Sequence, residues 1–295
     1  MGRFRMVHAA VRERPALGTL AGVYGAFKLV EEGAWIAMTI LAHGRGGVGE
    51  ASAVVAIQLV PAMLVALTVG RILRRSGGRR VLVGGLAVIA VVEVCIGALV
   101  AMGAPSPVVY AAAAVAASAF ATIRPAVASL LPWLVRRPRT LTTGTVLLGW
   151  MSGAATLAGP AIVAVVLGLA GASIPFFVFG GIALAAAGLA ARLPRGATRP
   201  NVSHPPIRTT VARLMRSPGP RLAIAVVAVY AFVLGFVDVA VVVVASDALG
   251  VGDQFAGWFG AAVGAGMVIG TVASVLLVGR RWLWPGALVA TCVVV

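Results

Sequence analysis

Eight stretches of the chain, roughly 18–42, 50–70, 81–102, 107–134, 143–169, 174–191, 221–246 and 254–279, are long and apolar, and a ninth begins near 282. A helix that crosses a bilayer needs about 20 mostly apolar residues, and these stretches meet that length. The sequence therefore predicts an all-α integral membrane protein. A mean hydropathy of +1.05, with 61% hydrophobic and only 11% charged residues, leaves too little polar surface for a water-soluble domain. The segments between the stretches carry turn chemistry: HGRGGVG, SGGRR, GAPSP, RRPRT, GLAGAS, the Pro-rich 192–220 and ALGVGD.

A formal net charge of +16 would suggest nucleic acid in a soluble chain, but here the arginines sort by connection. Arg3, Arg5, Arg12 and Arg14 precede the first span. Arg71, Arg74, Arg75, Arg79 and Arg80 fill the second connection, Arg136, Arg137 and Arg139 the fourth, seven arginines from Arg192 to Arg221 the sixth, and Arg280 and Arg281 the eighth. The odd connections hold only Arg45, together with Glu50, Asp247 and Asp253. Basic residues stay on the cytoplasmic side, so the N-terminus is expected inside, in the cell (inner) membrane. The arginines are then topology anchors against anionic lipid heads, and no nucleic-acid partner is expected. The first apolar stretch is interrupted by Lys28, Glu31 and Glu32 and lacks a small-residue cleavage site, so it reads as an uncleaved span. Cys95 and Cys292 both lie in apolar stretches and are expected as inert small hydrophobes.

Six ionisable residues fall inside spans: Lys28, Glu31, Glu32, Glu93, Arg124 and Asp238. Facing lipid, each would cost a few kcal/mol or more, so each is expected to face the bundle interior or a water-filled cavity. In AFKLVEEGAWIAM the i+3 and i+4 spacings put Lys28, Glu31 and Glu32 on one helix face. One lysine neutralises one of the two acids, and Arg124 is the other basic residue at depth. Two readings stay open. Either Glu32, or secondarily Glu31, changes protonation as a central cavity alternates, or a static Lys28–Glu31/Glu32–Arg124 network only positions helices. Asp238 is the matching acid in span seven.

The chain also repeats itself. GVGEASA at 47–53 matches GVGDQFA at 250–256, Val69-Gly70-Arg71 matches Val278-Gly279-Arg280, and the 17-residue interval from Arg14 to Glu31 recurs from Arg221 to Asp238. Spans one to three thus template spans seven to nine in the same orientation. A parallel duplication of six-helix halves is a transporter design with its site between the halves at mid-membrane. Glu50 and Asp253 both fall in first turns, where a carboxylate caps free N–H groups.

With these residues the chain resembles the major facilitator superfamily. The signature of that family between spans two and three, Gly-x-Leu-Ala/Gly-Asp-Arg-x-Gly-Arg-Lys/Arg, is similar to Gly70-Arg71-Ile72-Leu73-Arg74-Arg75-Ser76-Gly77-Gly78-Arg79-Arg80 in spacing, glycines and basic tail. Arg74 stands where the family has an acid, which in the family latches the halves on the cytoplasmic side. Gly159-Pro160 is similar to the Gly-Pro of span five, though Ala155, Val163 and Ala164 lack the flanking glycines of the antiporter motif. GVGDQFAGWFGAAVGAGMVIG at 250–270 resembles the entry into span eight.

The resemblance implies an N-terminal six-helix half (1–191), a cytoplasmic linker (192–220) and a partial C-terminal half of about three helices (221–295). Because the family usually has 12 spans, it also implies truncation within the ninth. It further implies a monomeric carrier that moves a small-molecule substrate by alternating access, with protons as coupling ion and efflux as direction. Glu93 is the weaker pathway candidate, because span three is often peripheral in the family.

Gly260, Gly264, Gly266 and Gly270 are spaced for close helix approach rather than for a dinucleotide fingerprint, which would need a preceding strand. His8, His43 and His204 form no ligand cluster, so neither metal nor cofactor is expected, and no nucleophile elbow points to an enzyme. Trp35, Trp150 and Trp258 serve as cavity lining or as interfacial anchors. IRTTVARLMRS in the linker reads as a surface-lying amphipathic helix. The rival readings are a uniporter or lipid-handling carrier of the same fold, and a non-transporting membrane sensor or scaffold.

Overall fold

A computed structural model of the protein describes residues 15–135, 138–194, 214–249 and 253–277. These residues are almost wholly helical, as lipid requires: with no water to bond exposed backbone groups, each helix satisfies its own. In chain order the helices are α1 (Pro15–Ser76), α2 (Gly78–Ala101), α3 (Ser106–Leu134), α4 (Pro138–Ala170), α5 (Ile174–Ala190), α6 (Pro218–Val243) and α7 (Asp253–Leu277), with a π-turn, Val244–Ala248, prolonging α6.

The first helix is two spans. Gly46 and Gly47 leave helical geometry, and Gly47 has φ 66, a left-handed conformation that glycine adopts without a Cβ penalty. The arms on either side, 15–45 and 48–76, correspond to the first two apolar stretches. Gly103 (φ 67) and Gly171 (φ 88) make the next turns on that same end of the bundle. Ala104 N–H closes the first of these turns by donating to Leu99 O at 2.9 Å.

The arm 15–45 is the axis of the packing. Leu17, Leu20, Val23, Phe27 and Val30 are buried on it, against residues such as Ile123 and Val127 of α3 and Phe176 and Phe179 of α5. A Cβ at Gly33 would lie 2.0 Å from Phe179 Cζ, so this contact exists only because residue 33 has no side chain. The arm 48–76 instead turns Leu59, Val60, Met63, Leu64 and Leu67 outward. Lipid is as apolar as leucine, so contact is decided by how closely backbones approach, and small residues mark the seams.

One expectation needs correction. Residues 70–80 are not a loop: 70–76 continue the arm 48–76, 78–80 open α2, and Gly77 alone (φ 79) makes the turn. Arginine favours helix, and a helix that leaves the bilayer has no reason to stop at the interface. In the linker, only 214–217 of the segment 207–217 is described, as a single helical turn at 214–216. The remainder, the ninth stretch from 282, Arg3 to Arg14, and Arg280 and Arg281 lie outside the described residues.

Candidate functional site

Lys28, Glu31 and Glu32 share one face of the arm 15–45, as their spacing requires. Lys28 Nζ donates to Glu31 Oε2 and, at 2.5 Å, to Glu32 Oε1. From α3, Arg124 Nη2 donates to Glu31 Oε2 at 2.9 Å. Two cations and two carboxylates make a neutral cluster, and neutrality limits the several kcal/mol that each buried ion loses in hydration. Exposure is graded across it: the Lys28 side chain is 3% exposed, Glu31 22%, Glu32 30% and Arg124 59%. Glu31 has two cationic partners, whereas Glu32 has only Lys28 among the described residues.

One turn before Lys28 and Arg124 stand Tyr24 and Phe120. Tyr24 meets Phe27 at a ring-centroid distance of 5.9 Å, and Phe27 meets Phe120 at 6.2 Å. This tilted aromatic row joins the two helices that hold the charges. It escaped the sequence reading, although the i−4 spacing of Tyr24 and Phe120 from the two cations was available as a signal.

Behind the cluster, α4 crosses the arm at Gly159. A Cβ there would lie 2.9 Å from both Gly33 N and Leu29 O and 3.2 Å from Glu32 Cβ, so a bare backbone sits directly against the segment carrying Glu32. The other face of α4 receives α7. Cβ atoms on Gly257, Gly260 and Gly264 would meet Pro160 O at 2.8 Å, Pro160 Cβ at 3.1 Å and Leu157 Cα at 2.5 Å. Gly257 was not singled out from sequence. Gly266 is corrected: a Cβ there meets nothing within 4 Å, because two residues turn a helix by about 200° and carry it off the face of Gly264. Gly270 lies in α7, and its surroundings are outside the described residues.

Glu93 is not brought to the cluster. It is 1% exposed within α2, on a stripe with Leu86, Ile89, Ala90 and Ile96, and its Oε2 has no hydrogen-bond partner among the described residues. Asp238 belongs to α6, and its side chain is outside the described residues. Trp258 is 48% exposed, and Trp35 Nε1 is buried without a partner among the described residues.

In the arginine-rich turn, Arg71, Arg74, Arg75 and Arg80 are exposed, and Arg74 makes no ion pair among the described residues. Gly70 is exposed, and a Cβ there would lie 3.7 Å from Arg74 Nη1. Arg79 behaves differently: its Nη2 donates to Ala191 O, the C-cap of α5. A cation on the last carbonyls of a helix meets the negative end of its dipole. The sequence reading missed this contact, which spans 112 positions. At the opposite end of the bundle, Tyr110 donates to Glu50, and Arg45 Nη1 donates to Ala104 O at 3.2 Å and Ser106 Oγ at 3.4 Å.

The described residues thus form a multi-pass helical bundle with a charge-balanced cluster between its helices. The sequence profile of the Major Facilitator Superfamily matches residues 20–295, and the chain belongs to that family of transporters. Comparison with curated protein sequences returns no match.

Proposed function

We propose that the chain is a secondary carrier that moves a small solute outward across the cell membrane by alternating access, with a proton exchanging at Glu32. The observation that carries this reading is the asymmetry of the cluster. Glu32 is its most exposed carboxylate, at 30%, and is held by one cation that it shares with Glu31. When Glu32 takes up a proton, Lys28 keeps Glu31 and the cluster gains one positive charge; when it releases the proton, neutrality returns. Glu31, fixed by Lys28 and Arg124, is the secondary proton site. Residues 1–191 form one half around the solute and 221–295 part of the other, joined by 192–220, with Asp238 the acid contributed from beyond the linker. The chain works as a monomer with its N-terminus cytoplasmic, its arginines against anionic lipid.

A second reading is favoured by the same charge balance: two cations and two carboxylates need no proton, and the cluster then holds α3 to the arm 15–45 in a uniporter. Glu32→Gln separates the two. In proteoliposomes with an imposed pH gradient and a broad solute panel, loss of proton-driven accumulation with retained exchange supports the coupling role. Unchanged proton-driven transport in that variant overturns the role of Glu32, and downhill transport of the parent protein that ignores the pH gradient supports the uniport reading.

A further inference from the structure

At the end of the bundle opposite the arginine-rich turn, the close of the arm 15–45, the end of α4 and the start of α5 surround a cavity of ≈ 220 Å³. Its walls are apolar, with Ile40, Leu41, Val163, Leu167 and Pro175 among them, and among the described residues Arg45 is the only charged one lining it. The Arg45 guanidinium has five N–H donors. Those on Nη1 are directed to Ala104 O and Ser106 Oγ, and no ion pair of Arg45 occurs among the described residues. Glu50, the acid nearest in sequence, is turned to Tyr110 of α3 instead.

From these observations we infer that the cavity binds a small apolar monoanion, with an aromatic monocarboxylate as the best-fitting class, its ring against Ile40, Leu41, Val163 and Leu167 and its carboxylate on Arg45. Charge decides the sign of the ligand: an unpaired guanidinium at the edge of an apolar cavity attracts an anion and gives a neutral solute nothing of comparable strength. Volume decides the size. A cavity of about 150 Å³ lined by apolar side chains takes up benzene, so ≈ 220 Å³ holds one ring with a carboxylate. A few convergent polar groups in an apolar pocket are the general form of such sites. Arg45 lies 13 residues along the arm from Glu32, roughly 20 Å at the helical rise, so this site is separate from the charged cluster. By the distribution of arginines it opens on the non-cytoplasmic side.

Calorimetric titration of the purified protein in nanodiscs with benzoate, benzyl alcohol and benzylammonium tests the assignment. The expected result is that benzoate binds, that the other two bind at least about tenfold more weakly, and that Arg45→Gln costs benzoate about tenfold or more while Arg45→Lys retains part of the affinity. Leu167→Trp, which fills the cavity, abolishes binding, and Arg124→Gln leaves it unchanged. No benzoate binding, equal binding of benzyl alcohol, or loss of binding in Arg124→Gln overturns the proposal, the last by moving the anion to the cluster. Should the Arg45 variants not fold, photolabelling the unaltered protein with 4-azidobenzoate decides: adducts within 37–45 or 163–175 uphold the site, and adducts confined elsewhere, or none, overturn it.

Discussion

Arg124 Nη2 of α3 lies 2.9 Å from Glu31 Oε2 of the arm 15–45, joining residues 93 positions apart in sequence. The bond completes a charge balance that neither helix has alone. Arg124→Gln leaves Lys28 facing two carboxylates, and because the Arg124 side chain is 59% exposed the expected loss of stability is modest, about 1 kcal/mol. The double variant Arg124→Gln/Glu31→Gln restores neutrality and is expected to regain that loss in thermal unfolding. Additive losses in the double variant would show that the two charges do not act as a pair.

Removal of Lys28 is more serious. Its side chain is 3% exposed and bridges both acids, so Lys28→Gln leaves two half-buried carboxylates with Arg124 alone to offset them. Breaking a buried ion pair from one side costs about 3–5 kcal/mol, and the partial exposure of both acids puts the expected loss toward the low end of that range. The variant is expected to unfold in detergent well below the parent protein, and Lys28→Gln/Glu32→Gln to recover most of the difference. A fluorescence-detected melting series reads both.

Gly159 and Gly264 have backbones of neighbouring helices where a side chain would go, and Gly266 has open space. Gly159→Val and Gly264→Val are each expected to cost about 1–3 kcal/mol or more through overpacking, whereas Gly266→Ala stays within about 0.5 kcal/mol of the parent. In transport assays Gly159→Val has the larger effect, because the displaced segment carries Glu32. Equal effects at 264 and 266 would contradict the packing described for α4 and α7.

Glu93 is 1% exposed and its Oε2 lacks a partner among the described residues. Of the two helices packed most extensively on α2, α5 carries no charged or titratable side chain, and on α3 Arg124 is engaged with Glu31 and Tyr110 with Glu50. An unpaired charge in such surroundings is costly, so Glu93→Gln is expected to match or exceed the parent in thermal stability, and Glu93→Lys to fail to accumulate. A large loss in Glu93→Gln would mean that the position carries a stabilising ion.

Arg79 and Arg74 are expected to part company although both belong to the arginine-rich turn. Arg79→Ala frees the Ala191 carbonyl at the end of α5 and costs about 0.5–1.5 kcal/mol. Arg74 is exposed and makes no ion pair among the described residues, so Arg74→Asp leaves stability near the parent. Its effect is expected in the inward and outward populations, read by site-specific distance measurements.

Much of this protein was legible along the chain, because in lipid each helix must close its own hydrogen bonds and announces itself by length and hydropathy. The break at Gly46-Gly47 and the shared face of Lys28, Glu31 and Glu32 are local properties, set by a glycine dihedral and by the helical period. The pairing of Arg124 was legible for a different reason: few cations lie at depth, and electroneutrality leaves few choices. Residues 70–80 misled in the opposite way, since turn-forming Ser76, Gly77 and Gly78 suggested a loop where a single glycine turns between two helices.

Which helix faces which was not written in any one segment. Lipid gives two apolar helices no hydrophobic reason to prefer each other, so partners are chosen by where backbones approach and side chains interlock. That choice put Gly159 against Leu29 and Gly33, seated Phe179 on Gly33, carried Arg79 to the end of α5, sealed Glu93 away from the cluster and left Arg45 at the edge of an apolar cavity. The sequence by itself determined the spans, their breaks and the charges at depth, because these follow from local composition and helical period; tertiary structure alone decided which charges meet, because contact depends on the relative placement of helices far apart in the chain.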